Sequence, residues 1–177
     1  MIKGNYKILF QENLTIAVLK KRGYNTDMIR SLNPATFLRE EEKKRVKEAI
    51  DKTEKETSGE IKLYVARFCW EKIEEKAYRV FNKLGLFNTK DRNGVLIYVV
   101  TKNREFFIYG DEGIHKKVPE NFWEEIKNRM AENFRKGDFG KGLVEAIEKI
   151  GENLKTYFPY RSDDKNEIPD EIEYGQE

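Results

Sequence analysis

The sequence contains one cysteine, Cys69, and one histidine, His115, among 177 residues. A lone cysteine excludes an intramolecular disulfide framework, and with one histidine no Cys/His zinc spacing can be assembled. Long apolar runs are missing as well: nothing approaches the roughly 18 residues needed to cross a bilayer. The apolar patches Ile8-Leu9-Phe10 and Leu14 to Leu19 are interrupted by Gln11-Glu12-Asn13, and Lys20-Lys21-Arg22 follows them. A signal peptide has its basic residues first, so the polarity is wrong and a cytoplasmic location is the default expectation. Net charge is also scarce. With 34 basic and 32 acidic residues the chain carries only +2, which removes the electrostatic case for nucleic acid as a main partner.

That small total conceals an uneven distribution. Residues 161–177 hold seven acids (Asp163, Asp164, Glu167, Asp170, Glu171, Glu173 and Glu177) against Arg161 and Lys165, a net of −5, which leaves +7 on the rest. With Pro169 and little apolar periodicity, residues 160–177 read as a disordered acidic extension, a solubilising or partner-binding tail. Hydrophobic content of 38% against 37% charged residues makes the core economical, and the length fits one domain.

Two segments read as strands. Ile61 to Ala66 alternates at its start and predicts a half-covered strand, whereas Val95 to Val100 is continuously apolar and predicts a central buried one. Between them, Ile73, Ala77, Val80, Phe81 and Leu84 form one stripe on a helix over Glu71 to Gly85, so the unit is a right-handed parallel βαβ crossover. The polar turn Thr101-Lys102-Asn103-Arg104 then leads to Glu105 to Tyr109, an antiparallel hairpin partner. Further helices are expected over Glu40 to Glu56 (Val46, Ala49, Ile50), after Pro119 (Phe122, Trp123, Ile126, Met130, Phe134), and around Leu143, Ile147, Ile150 and Leu154. Their stripes are core material. Gly137, Gly140 and Gly142 lie between two helices and read as a helix stop and restart, not a phosphate loop. Residues 1–35 allow a hairpin of Tyr6 to Phe10 with Thr15 to Leu19 and a short helix over Asn25 to Leu32, with no assigned role.

This topology gathers three short acidic turns at one end of the sheet: Ser58-Gly59-Glu60, Asp91-Arg92-Asn93-Gly94 and Gly110-Asp111-Glu112-Gly113. Carboxylates of Glu60, Asp91, Asp111 and Glu112 brought together repel unless a cation, an Arg or water screens them. Hard cations such as Ca²⁺, Mg²⁺ and Mn²⁺ take such oxygen ligands. The bland alternative is a set of solvated turn residues, since acidic and glycine-containing turns flank many strands.

The same residues carry a family resemblance. Thr57-Ser58-Gly59-Glu60-Ile61, Asn93-Gly94-Val95-Leu96-Ile97-Tyr98, Gly110-Asp111-Glu112-Gly113-Ile114-His115 and the pattern Gly137-Asp138-Phe139 to Gly142-Leu143 resemble the TPM domain family of thylakoid-lumen, photosystem II repair and acetylcholine-receptor modulator proteins. The resemblance runs from about Phe37 to Pro159, giving a TPM-like domain over 36–159. It implies a three-layer α/β/α sandwich around a small mixed sheet, with divalent cation binding and, in plants, acid-phosphatase-like activity. Carried over, the acidic region falls on Glu60, Asp91 and Asp111, with Thr89, Arg92 and Asn93 beside it. Many relatives have a signal peptide and a membrane segment, from which this chain departs.

Familiar metal-free phosphatase chemistry is unsupported by the residues. Cys69 lacks the Arg that would clamp phosphate six positions on, where Glu75 stands; the single His115 follows Ile114 instead of an Arg; Asp163-Asp164 is not an Asp-x-Asp pair; and Ser58 has no evident His base. Three readings remain. The favoured one is a divalent-cation-binding accessory or interaction module, the second a metal-assisted phosphomonoester hydrolase with Arg92 on the phosphate, the third a metal-independent partner-binding protein.

Overall fold

The computed structural model describes residues 6–7, 30–160 and 171–175. Its elements run β1 (Tyr6–Lys7), α1 (Pro34–Phe37), α2 (Glu40–Glu54), β2 (Ile61–Ala66), α3 (Ile73–Lys83), a 3₁₀ turn (Leu86–Asn88), β3 (Val95–Val100), β4 (Glu105–Gly110), α4 (Glu112–His115), α5 (Phe122–Arg135), α6 (Phe139–Tyr157) and β5 (Glu173–Gly175). The strands form one mixed sheet in the order β1-β4-β3-β2-β5. As expected, β2 and β3 are parallel with α3 as the crossover, and β3 and β4 form an antiparallel hairpin. Arg104 completes the tight turn between them with φ 59.

Successive side chains on a strand point to opposite faces, and here both faces are covered. Ile61, Leu63, Val65, Val95, Ile97, Val99, Phe106 and Ile108 join α2, α5 and α6 in the larger core. Tyr64, Ala66, Leu96, Tyr98, Val100 and Phe107 meet Ile73, Ala77, Val80 and Phe81 of α3, with Leu86, in the smaller one. Helices therefore lie on both sides of the sheet, an α/β/α sandwich whose stripes are the ones legible in the sequence. Gly137, at φ +82, ends α5 in the left-handed conformation that glycine adopts without a Cβ penalty, and α6 restarts at Phe139.

Three expectations are corrected. All six residues of β2 are buried, so the strand is fully covered, not half-covered. The alternation was misleading because Lys62, only 1% exposed, lies 3.5 Å from Glu54 and 3.7 Å from Glu60; a buried ammonium needs such partners to offset its lost hydration. The acidic tail is not without structure throughout: Glu173–Gly175 pairs in parallel with Tyr64–Ala66, Arg67 N–H donates to the Gly175 carbonyl at 3.3 Å, and Ile172 packs on the larger core. At the other terminus, β1 pairs with the start of β4, Tyr6 opposite Phe106. The remainder of the expected N-terminal hairpin, and most of the helix over Asn25 to Leu32, fall outside the described residues; Arg30 to Leu32 are not helical. Arg30 instead forks onto Glu42 and stacks over Phe139, its Cζ 5.0 Å from the ring centroid.

Candidate functional site

The register fixes one end of the sheet. Ile61 pairs with Val95 and Val95 with Gly110, so the residues before β2, before β3 and after β4 share that end. Main-chain bonds tie them together: Val95 N–H donates to Glu60 O at 2.7 Å, Asp111 N–H to Gly94 O at 2.9 Å and Gly113 N–H to Arg92 O at 2.8 Å. Behind them, the C-terminus of α6 anchors the first turn. Ser58 N–H and the Thr57 hydroxyl both donate to Phe158 O, at 2.9 and 2.6 Å.

The second turn follows the Leu86–Asn88 3₁₀ turn. The buried Thr89 hydroxyl accepts from Asn93 N–H at 3.2 Å, and Arg92 N–H donates to Thr89 O at 3.1 Å. Arg92 takes φ 51, the left-handed region that a long side chain adopts only where its surroundings hold it. What holds it is Asp111. Nε donates to Oδ2 at 2.6 Å and Nη2 to Oδ1 at 2.9 Å, while the guanidinium carbon lies 5.2 Å from the Phe87 ring centroid. Hydrogen bonding to Asp111 makes the guanidinium more basic than usual, and with the charges of Asp111 and Glu112 it outweighs the opposing desolvation. Burial, then the Asp111 charge, raises the Tyr109 phenol nearby.

Asp111 is only 2% exposed and caps α4, its Oδ1 accepting from Glu112 N–H at 2.7 Å. Gly113, one residue into α4, allows contact with the second turn: a Cβ there would lie 2.0 Å from Asp91 O and 2.7 Å from Arg92 O. Glu112, exposed on the same turn, pairs with Lys116, whose hydrogen bond and charge lower its pKa.

Glu60 is buried beside Lys62, which also meets Glu54; Glu54 Oε1 accepts from Ile61 N–H at 3.1 Å. Asn93, 1% exposed, donates through Nδ2 to Ser58 Oγ at 3.3 Å, bridging the first and second turns. Its Oδ1 is buried and receives no hydrogen bond among the described residues. Asp91 sits half-buried on the same turn.

Glu60, Thr89, Asp91, Arg92, Asn93 and Asp111 thus belong to three turns bonded to one another at one end of the sheet, with Glu112 turned to Lys116. The carboxylates do not stand together bare. Asp111 is held by Arg92 and Glu60 by Lys62, and among the described residues no three of His, Cys, Asp and Glu lie close enough to hold a metal ion. The basic partner Lys62, and the carboxylate of Glu54 beside it, were missed in the sequence. The available signal was a lysine inside a strand otherwise composed of Ile, Leu, Tyr, Val and Ala.

Comparison with known proteins follows the same lines. A search of curated proteins yields no match. A solved structure similar to this chain is the NMR structure of BA42 protein from the psychrophilic bacteria Bizionia argentinensis, 42% identical, covering 78% of this chain and 96% of that one with a TM-score of 0.73. No helix among the described residues is long and apolar enough to cross a membrane. The family model of the TPM domain matches residues 32–153, well over half of the sequence and spanning all three turns, and the chain belongs to that family.

Proposed function

We propose that this TPM domain is a divalent-cation-binding accessory module, with the cation taken up at the end of the sheet where the three turns meet. The observation that carries the reading is Asn93 Oδ1. A buried amide oxygen with no donor among the described residues calls for an ion or a water, and this one belongs to the side chain that bridges the turns of Glu60 and Asp91 through its Nδ2. Asp111, Asp91 and Glu60, the Asn93 amide oxygen and the exposed Glu112 make an all-oxygen set suited to Ca²⁺ first, and to Mg²⁺ or Mn²⁺ in tighter geometry. In the cation-free state Arg92 supplies the counter-charge to Asp111. Uptake therefore competes with the Arg92 fork, and the affinity is the difference between the two.

The hydrolytic reading has to rest on cation-activated water, because neither Ser58 nor Thr89 is set up as a nucleophile. The hydroxyls at this end are engaged by amides and carbonyls, Ser58 Oγ by Asn93 Nδ2 and Thr89 Oγ1 by Asn93 N–H and Leu86 O, so neither has a base in position to activate it. The test compares variants by calcium titration. Arg92→Gln, which releases Asp111 without adding charge, should bind Ca²⁺ roughly tenfold more tightly, since a hydrogen bond to a charged group contributes about 1.5 kcal/mol or more. Asp111→Asn should abolish saturable binding. Unchanged affinity in both, with native circular dichroism, would place the cation elsewhere on the domain, and no saturable binding by the parent would favour partner binding independent of metal.

A further inference from the structure

The opposite end of the sheet, where β2 and β3 finish, carries a surface that the acidic site does not use. After β2 the chain passes through Arg67-Phe68-Cys69-Trp70-Glu71-Lys72, beside the β3–β4 turn Thr101-Lys102-Asn103-Arg104. The Asn103 side chain grips the middle of this loop like a strand partner: Oδ1 accepts from Cys69 N–H at 3.2 Å and Nδ2 donates to Cys69 O at 2.8 Å. Cys69 is 5% exposed and its thiol donates to Glu71 O at 3.3 Å. With Cys69 pinned inward, Trp70 turns outward and the half-buried Phe68 lies beside it. Trp70 is 90% exposed, and Phe68 meets it edge to face with ring centroids 4.2 Å apart while Lys102 Nζ lies 5.2 Å from the Phe68 ring. Leu32, 47% exposed, is tied to the same end by the Thr101 hydroxyl, which donates to its carbonyl at 2.6 Å.

The charges around this tip favour one sign. Residues 67–72 and 101–104 contain Arg67, Lys72, Lys102 and Arg104 against Glu71, a net of +3, and Glu71 is engaged by Arg79. The acids towards this end are Glu74 and Glu75 in the first turn of α3, with Glu75 3.9 Å from Lys72, Glu105 at the start of β4, and Glu173 on β5 opposite Tyr64, while Lys76 and Arg79 of α3 add positive charge. The aromatic tip projects from the surface; a protein partner would have to supply a cavity for it, whereas the boundary of a bilayer receives a projecting Trp without shape matching.

We propose that this end docks on an anionic lipid bilayer, with Trp70 and Phe68 entering the headgroup boundary and Arg67, Lys72, Lys102 and Arg104 lying over the headgroups. Trp70 stands outward while the loop is already pinned, so docking costs little ordering. The acidic turns then face away from the lipid.

The chain's two tryptophans make the test direct, because Trp123 is 6% exposed and reports the fold whereas Trp70 reports the surface. The full chain is titrated with vesicles of phosphatidylcholine mixed with phosphatidylserine. The expected result is a blue shift of Trp emission and protection from acrylamide, both lost on raising the salt. Binding, followed by co-sedimentation, should fall roughly tenfold in Trp70→Ala and in Lys102→Glu, whose Trp123 emission should stay native. No shift with these vesicles would overturn the proposal, as would equal binding to pure phosphatidylcholine or binding that survives Trp70→Ala. A blue shift that grows with protein concentration in the absence of lipid would assign the surface to a second copy of the chain instead.

Discussion

At the scale of single residues, charge compensation governs both the site and its support. Asp111 is almost wholly buried and keeps its place through the Arg92 fork and the Glu112 N–H. Replacing Arg92 by Gln removes the two hydrogen bonds of the guanidinium fork from the Asp111 carboxylate, together with its opposing charge. The variant should lose about 1–3 kcal/mol in urea unfolding without added cation, the lower part of the range because half of the Arg92 side chain is in water. Glu42 plays the equivalent part on the helical layer. Burial pushes its pKa up, but hydrogen bonds from Arg30, Arg39 N–H and Gly140 N–H and the charge of Arg30 outweigh that, and the net is a lowered value. A carboxyl depressed in the folded state contributes stability above its unfolded pKa of about 4.3, and that contribution disappears as pH falls through the folded value. Glu42→Gln should therefore be less stable than the parent at neutral pH and show a flatter loss of stability on acidification below about pH 4.3, measured by urea unfolding across that range.

At the scale of elements, the three turns work as one because their backbones touch. Gly113 is the tightest of these approaches, and a methyl group there would meet the Asp91 and Arg92 carbonyls. Gly113→Ala should cost about 1–3 kcal/mol in thermal or urea unfolding and should perturb the amide resonances of Asp91 to Gly94 before any distant ones. Elements with strong periodicity were legible: the apolar run of Val95 to Val100, the hairpin after it and the stripes of α3, α5 and α6 needed only local pattern. Elements that depend on a distant partner were not. Glu173–Gly175 has three residues and an acidic, glycine-containing composition, and it is a strand because β2 offers an edge. The turn Glu112–His115 becomes helical because Asp111 caps it, which is visible only once Asp111 is known to be held by Arg92. Lys62 disguised a fully covered strand as an alternating one.

At the scale of the whole molecule, parallel and antiparallel pairing decide what lies at each end of the sheet. That placement could be argued from sequence, since one βαβ unit and one hairpin suffice to bring Glu60, Asp91 and Asp111 to a common end. The pairings there could not, because Arg92 with Asp111 and Lys62 with Glu54 and Glu60 depend on rotamers and burial across separate elements. The result is a domain with an acidic end, internally neutralised, and an aromatic, basic end opposite it. In the proposed function, the acidic end exchanges its internal counter-charge for a divalent cation. The most direct measurement is an amide-shift titration with Ca²⁺ at constant ionic strength, followed at Glu60, Asp91 to Gly94 and Asp111 to Gly113 together with the Arg92 Nε–H. Saturable shifts confined to the three turns, with the Arg92 Nε–H moving as its bond to Asp111 is lost, are the predicted result. Shifts that never saturate, or an Arg92 signal that stays fixed while the amides move, would contradict it.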